Sequence, residues 1–230
     1  MTSTGGPFRR VARRRVVGCI HAPLAAGADF DTLLDDPDGF MNRGVVLKDD
    51  ASSRVVRVDL DGTDMVIKRE RYPDRLRALR RCLRASRAIR AWRGGLLLER
   101  AGFSVASPLG WLEHRRGLIR IGSWGLAGYI AGCDADSVLH AGDTEPIEAI
   151  ADVVRRLQAA GIVHGDLKAS NLRITPADAV CLLDVHAVRC PVAWRRRRAL
   201  DRERARFLRN WHQFPDLAVA FAAALGDRSP

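Results

Sequence analysis

The stretch of residues 162–172 constrains this chain most, because it concentrates four chemically distinct side chains in a short segment. His164 and Gly165 lead into Asp166. Lys168 and Asn171 follow a few positions later. A carboxylate can accept the proton of an attacking hydroxyl group, a lysine can neutralise phosphoryl oxygens, and an amide oxygen can bind a metal ion. This pattern predicts a catalytic loop for phosphoryl transfer, in preference to a plain polar loop between a helix and a strand.

A second carboxylate, Asp184, is predicted to lie beside this loop. Residues 172–174 and 180–183 have the composition of two short strands, and residues 176–178 that of the turn between them. Such a hairpin returns the chain to its starting point. We therefore expect Asn171 and Asp184 to share one Mg²⁺ ion, since both offer the oxygen ligands that this ion prefers.

An antiparallel meander of three strands is predicted nearer the N-terminus. Three segments have the β-branched composition of strands: residues 45–48, 54–60 and 65–68. Asp61-Gly62 is a hairpin signal between the last two. Lys68 ends the third strand, where a lysine can contact nucleotide phosphates. The first turn contains Ser52 and Ser53, whose hydroxyl and backbone N–H groups are further candidate phosphate ligands.

A basic helix is predicted over residues 75–101 from its apolar spacing. Eight arginines occupy its first part: Arg75, Arg77, Arg80, Arg81, Arg84, Arg87, Arg90 and Arg93. A charge run is usually a solvated helix face, but this density fits contact with an anionic membrane surface equally well. Glu99 is the sole glutamate of the helix. Either Glu99 forms an ion pair with Lys68, or that ion pair is absent.

The composition favours anionic partners without choosing among them. The chain has 230 residues and a net charge of +11, from 38 basic and 27 acidic residues. No nucleic-acid-binding motif is visible, so no nucleic acid partner is expected. The five cysteines are scattered, which fits a reducing cytosol. No apolar run has the length of a spanning helix, and we expect a soluble protein that can attach to a membrane surface.

With these motifs in place, the chain resembles the bacterial lipopolysaccharide core kinase family, the Kdo and heptose kinases, which have a protein-kinase-like fold. The resemblance is carried by the loop of residues 164–171, by Leu182-Leu183-Asp184 and by Val66-Ile67-Lys68. It implies ATP and Mg²⁺ as cofactors, and Asp166 as the residue that activates or orients the acceptor hydroxyl. It further implies the following roles: Asn171 and Asp184 as metal ligands, Lys68 on the ATP phosphates, and Lys168 on the transferred phosphoryl group.

The resemblance also implies an α+β, two-lobed fold with a small antiparallel β N-lobe and a compact, mainly helical C-lobe. We place the N-lobe, including the basic helix, at residues 41–130. The C-lobe, with the catalytic loop, is placed at residues 131–230. Residues 1–40 are predicted to be an N-terminal extension that is partly disordered.

The function implied by the resemblance is transfer of the γ-phosphate of ATP to a sugar hydroxyl of the lipopolysaccharide core or a related glycolipid. The resemblance implies a cytoplasmic enzyme that acts at the cytoplasmic face of the inner membrane, where it can be peripherally attached. Two alternatives remain open. One is a kinase-fold enzyme that acts on a protein Ser or Thr or on a small molecule. The other is a catalytically degenerate, kinase-like binding protein, since the chain reads Asp184-Val185-His186 where protein kinases have Asp-Phe-Gly.

Overall fold

The computed structural model describes residues 7–71 and 84–226. The chain forms two compact units. Unit 1 contains residues up to Arg93 together with Ser107–Tyr129, and unit 2 contains Gly94–Ala106 and the residues from Ile130 onward. Each unit has its own cluster of buried apolar side chains.

Unit 1 is built on a seven-stranded antiparallel sheet. Its strands are β1 (Phe8–Arg13), β2 (Val16–His21), β3 (Val45–Asp49), β4 (Ser53–Leu60), β5 (Thr63–Glu70), β6 (Pro108–Arg116) and β7 (Ile119–Gly128). They lie in the order β1-β2-β6-β7-β5-β4-β3. Two short helices, α1 (Phe30–Asp35) and α2 (Pro37–Met41), contribute Phe30, Leu33 and Phe40 to a core that includes Ile67 and Leu112.

The predicted three-stranded meander is confirmed as β3, β4 and β5. Val56, Val58 and Leu60 of β4 are buried at every second position, as the alternation of the sequence requires. The β4–β5 turn has positive φ angles at both central residues, 50° at Asp61 and 83° at Gly62. That is the backbone of a two-residue hairpin turn matched to the twist of the strands.

The structure corrects the prediction for residues 1–40. β1 and β2 pair with each other, and β2 pairs with β6, so that this part of the chain belongs to the sheet rather than to an extension. Val16 and Ile20 are buried, whereas Arg9 and Arg10 of β1 are exposed and Arg13 is partly buried. The many arginines in residues 9–15 hid the strand pattern of this segment in the sequence. Residues 1–6, for which disorder was also predicted, lie outside the described residues.

Unit 2 is mixed, with more helix than strand. Its helices are α4 (Ala135–His140), α5 (Pro146–Ala159), α6 (Ala193–Arg209) and α7 (Pro215–Ala224), and its strands are β8 (Cys133–Asp134), β9 (Leu172–Ile174) and β10 (Val180–Leu182). The strands form a small antiparallel sheet in the order β10-β9-β8. Leu157 of α5 joins Phe207, Trp211 and Phe221 in the core, and the rings of Trp211 and Phe221 stack with centroids 4.7 Å apart.

Helix α3 (Arg87–Arg100) confirms part of the predicted basic helix, whereas residues 84–86, also predicted to be helical, precede the helix and are not part of it. The helix continues through Gly94-Gly95 without a break. A Cβ atom on Gly94 would lie 2.2 Å from the carbonyl oxygen of Val185, so that only glycine allows this close approach of two backbones. Four of the eight predicted arginines lie outside the described residues: Arg75, Arg77, Arg80 and Arg81. Within residues 7–71 and 84–226, no helix combines the length and apolarity needed to cross a membrane.

Candidate active site

The entry to the predicted catalytic loop is held by a buried carboxylate. Glu203 of α6 is 6% exposed. Its two oxygens accept hydrogen bonds from the backbone N–H groups of His164, at 2.9 Å, and Gly165, at 2.5 Å. Burial raises the pKa of Glu203, and the two N–H donors act in the opposite direction. Because both oxygens are used, the Glu203 side chain sets the direction of the backbone just before Asp166.

Gly165 is required by the shape of this turn. Its φ angle is 87°, in the left-handed region that disfavours other residues. A Cβ atom there would lie 2.7 Å from both the Cβ and the carbonyl oxygen of Ala187. Arg206 of α6 donates a hydrogen bond of 2.7 Å to the carbonyl oxygen of Gly165. The turn is therefore fixed on its N–H side by Glu203 and on its carbonyl side by Arg206.

His164 connects the loop to the end of β10. The ring is fully buried, and its Nε2 atom lies 3.0 Å from the carbonyl oxygen of Leu183. A carbonyl oxygen only accepts, so Nε2 carries the proton that is donated. Burial lowers the pKa of His164, which keeps the ring neutral in the folded chain. His164 is thus a structural link between the loop and the strand that precedes Asp184.

The three reactive side chains of the loop lie together. The Asn171 amide donates from Nδ2 to the backbone oxygen of Asp166 at 2.8 Å and to its carboxylate Oδ2 at 3.1 Å. Lys168 places its Nζ atom 3.5 Å from the same Oδ2. These contacts orient the Asp166 carboxylate. They also bring together Asp166, Lys168 and Asn171, as their sequence spacing suggested.

Asp184 follows the end of β10, where the backbone of Leu183 is hydrogen-bonded to Asn171. The Leu183 N–H donates to the Asn171 carbonyl oxygen at 2.8 Å. Asp184 itself has φ 51°, in the left-handed region, and its Oδ1 atom lies 2.8 Å from Nδ1 of His186. Val185 thereby stands at the position of the Phe of Asp-Phe-Gly, and His186, at the position of the Gly, contacts the carboxylate. The β9–β10 hairpin predicted to return the chain to the loop is confirmed.

The chemistry of Asn171 fits a role as a ligand for a hard cation. Both of its side-chain hydrogen bonds use Nδ2, so the Oδ1 atom has no hydrogen-bond partner among the described residues. An amide oxygen of this kind, with a nearby carboxylate, suits Mg²⁺, which usually takes only one or two carboxylates and completes its shell with phosphates and water. In the described ranges, no group of three or more His, Cys, Asp or Glu side chains forms a metal site by itself.

The predicted phosphate ligands Ser52 and Ser53 lie at the β3–β4 turn of unit 1. Their backbone N–H groups donate to Oδ1 of Asp50, at 2.7 and 2.8 Å, and the Ser52 hydroxyl donates to the same atom at 2.7 Å. Lys48 lies 2.9 Å from the other carboxylate oxygen. These contacts hold the pKa of Asp50 far below its usual range. A nucleotide phosphate would have to displace Asp50 to use these donors.

The predicted partners Lys68 and Glu99 are found in different units. Lys68 is half-buried near the end of β5, where its backbone faces Val55 and Gly125 on the neighbouring strands. Glu99 is exposed at the penultimate position of α3. The roles of Lys68 on ATP phosphates and of Glu99 as its partner stay predictions.

The sequence analysis missed Glu203 and Arg206. Glu203, Phe207 and Trp211 recur at intervals of four, which places them on one helix face, and all three are buried. An acidic residue on the same helix face as two aromatic residues could therefore have indicated a buried carboxylate. It was masked by the many arginines around it in α6.

A pH-dependent contribution to stability is expected from His164. Its pKa is lowered on folding, so below about pH 6.5 the unfolded chain binds a proton that the folded chain does not. The stability is present above that pH and is lost as pH falls, with a slope of at most about 1.4 kcal/mol per pH unit. His164→Gln keeps an N–H donor for Leu183 but does not titrate, and we expect this part of the slope to vanish.

The measurement is the free energy of unfolding in urea between pH 5 and pH 8 for the wild type and His164→Gln. The same change at the exposed His212 controls for the substitution itself. Identical slopes in the wild type and His164→Gln would contradict a buried, neutral His164.

The comparisons with known proteins agree with this geometry. Residues 126–221 match the model of the lipopolysaccharide kinase (Kdo/WaaP) family. No curated protein matches the sequence. A solved structure of WaaP in complex with acyl carrier protein has a similar fold, with a TM-score of 0.54 at 16% sequence identity over 86% of each chain.

The matched range includes the whole loop from His164 to Asn171 and the strand end at Asp184. These are the residues that predicted phosphoryl transfer. Sequence pattern, loop geometry and fold therefore agree that residues 126–221 are similar to the lipopolysaccharide kinase (Kdo/WaaP) family, which supports an enzyme of the kinase class.

Proposed function

We propose that the chain transfers the γ-phosphate of ATP to a hydroxyl group of a lipopolysaccharide core sugar. The observation that carries the proposal is the orientation of the Asp166 carboxylate by Asn171, with Lys168 3.5 Å away, on a loop anchored by Glu203. This arrangement supplies a proton acceptor and a positive charge at one point. Both are needed where a hydroxyl group attacks a phosphoryl group.

Each residue has a distinct role in this proposal. Asp166 accepts a hydrogen bond from the sugar hydroxyl and takes its proton as the new bond to phosphorus forms. Lys168 neutralises charge on the transferred phosphoryl oxygens. Asn171 and Asp184 would hold Mg²⁺, which when bound offsets the negative charge of the ATP phosphates. Lys68 is proposed to contact those phosphates, and Ser52 and Ser53 would do so where a phosphate displaces Asp50 from their N–H groups.

The direct test is transfer of ³²P from γ-labelled ATP to purified core glycolipid. We expect transfer that requires Mg²⁺ and stops in EDTA. Parallel reactions contain a Ser/Thr-rich protein, free core sugars or no acceptor. Transfer to the protein with none to the glycolipid would support a different acceptor class, and no ATP turnover with any acceptor would overturn the proposal.

Peripheral attachment to an anionic membrane is proposed for the described part of the basic helix. Arg87, Arg90 and Arg93 of α3 are exposed and recur at intervals of three, so they form one basic stripe. Arginines near an anionic bilayer contribute about 1 kcal/mol each to binding, so replacing all three by Gln is expected to weaken binding on the order of 100-fold.

Co-sedimentation with phosphatidylglycerol vesicles at low salt measures this effect. A matched control removes three exposed arginines elsewhere: Arg116, Arg197 and Arg209. Equal loss of binding in the two triple variants would show that only net charge matters and would contradict a specific role for α3.

A further inference from the structure

Unit 2 contains an open cavity of about 570 Å³ beside the N-terminal half of α6. Its lining residues come from the segment before α6 and from the first turns of that helix: Arg189, Pro191, Val192, Trp194, Arg195, Arg198, Ala199 and Arg202. A sugar ring with one or two charged substituents fits such a volume, which is within the range of small-ligand sites. None of the residues predicted as catalytic or metal-binding lines it.

The charge of this cavity is strongly positive. Of its four arginines, Arg189 interacts electrostatically with the Glu203 carboxylate, which already accepts two backbone hydrogen bonds. Arg189, Arg195, Arg198 and Arg202 are all exposed. Among the described residues, no carboxylate lies within ion-pair distance of any of the four. Four guanidinium groups that line one cavity without ion-pair partners repel one another. An anion placed among them would remove that repulsion, and guanidinium groups match the geometry of phosphate and carboxylate groups.

The cavity is continuous with the catalytic loop along α6. Arg195, Arg198 and Arg202 occupy one helix face, since they are spaced at three and four residues. Arg206 is the next residue on that face, and it donates a hydrogen bond to the carbonyl oxygen of Gly165, the neighbour of Asp166. On the other side, the backbones of Arg189 and Val163 pair through two hydrogen bonds of 2.9 Å. One edge of the cavity lining, at Arg189, therefore lies beside the chain that leads into the turn of Asp166.

Two large apolar side chains in the cavity lining are exposed to solvent. Val192 is 58% exposed and Trp194 is 74% exposed. The Arg195 guanidinium lies 4.1 Å from the Trp194 ring centre, which leaves the opposite face of the ring for another contact. An exposed tryptophan beside several arginines suits a ligand that has both an apolar ring face and negative charge.

We infer that this cavity binds the acceptor by the phosphate or carboxylate groups on its sugars, with a sugar ring against Trp194. The inference rests on the proposed function, because it gives that function a place for its acceptor. It assigns Arg198 and Arg202 to acceptor recognition. Neither residue takes part in the chemistry at Asp166.

The test compares the double variant Arg198→Gln/Arg202→Gln with the control Arg116→Gln/Arg197→Gln, in which two exposed arginines outside the cavity lining are changed. The acceptor is deacylated core glycolipid, which is soluble in water. We expect the first variant to raise the KM for this acceptor about tenfold or more, since charge-assisted hydrogen bonds are lost. The KM for ATP should not change, and kcat should stay within about twofold. Phosphatase treatment of the acceptor should raise the wild-type KM for it. It should also reduce the difference in this KM between the wild type and the Arg198/Arg202 variant.

Binding without ATP gives an independent measurement. The fluorescence change on adding the deacylated glycolipid should be present in the wild type, absent in Trp194→Phe and weakened in the Arg198/Arg202 variant. If the wild type binds in this way but transfers no phosphate, the proposed function fails and the cavity assignment stands. If transfer occurs and the two double variants have the same acceptor KM, the cavity assignment fails. Equal binding of glycolipid-free phosphatidylglycerol vesicles would also overturn it, because it would indicate a general anionic surface contact.

Discussion

Replacing Asp166 with Asn is expected to lower kcat about 10²–10⁴-fold, the range of a lost general-base contribution. The amide of Asn cannot take up the proton of the attacking hydroxyl group at neutral pH. The fold should hardly change. The side chains of Asp166 and Lys168 are 39% and 47% exposed, and an ion pair with this exposure contributes at most about 1 kcal/mol to stability.

The measurement is steady-state transfer of γ-phosphate, with thermal unfolding followed in parallel. Asp216→Asn is the matched control, since Asp216 is an exposed acid in the first turn of α7. We expect wild-type kcat for the control and closely similar melting temperatures for all three proteins. A kcat for Asp166→Asn within a factor of three of wild type, at full folding, would exclude Asp166 as the proton acceptor.

The loop and its hairpin could be predicted because their signals are local. The turn at Gly165, the carboxylate at Asp166 and the amide at Asn171 fall within one short stretch. The β9–β10 hairpin follows directly. Because the hairpin is short, it returns Asp184 to the neighbourhood of the loop. The same locality explains the success of the β3–β4–β5 meander, whose turn residues Asp61 and Gly62 adopt the positive φ angles that their types favour.

The remaining features depend on contacts between distant parts of the chain. β1 contains three arginines among its six residues, and β2 is paired with β6, almost a hundred residues later. The Ser52 and Ser53 donors were predicted to face phosphate, whereas Asp50 from the same turn accepts their hydrogen bonds. A carboxylate that is only two or three residues away in the sequence competes well for these N–H donors, because little chain entropy is lost when it binds them. Nothing in the composition of the turn distinguishes the two outcomes.

Replacing Glu203 with Ala is expected to be the most damaging change outside the catalytic residues. It leaves two buried N–H groups, those of His164 and Gly165, without acceptors. Each unsatisfied group costs about 1–3 kcal/mol, and release of the buried carboxylate from its desolvation cost offsets part of this. A net loss of about 2–4 kcal/mol follows. For a chain of this size, that corresponds to a fall in melting temperature of roughly 4–16 °C.

The same variant separates a structural role from a positioning role. Glu203→Gln keeps the shape of the side chain but can accept only one of the two N–H groups, so its melting temperature should fall less than that of the Ala variant. If Glu203 positions Asp166, kcat in Glu203→Gln should still fall about tenfold or more at temperatures where the protein is fully folded, because small displacements of a catalytic group cost up to about 10²-fold. Asp201→Gln, at an exposed acid two residues earlier on α6, is the control and should retain wild-type kcat. A Glu203→Gln enzyme that is less stable yet has the kcat of this control would assign Glu203 to the stability of unit 2 alone.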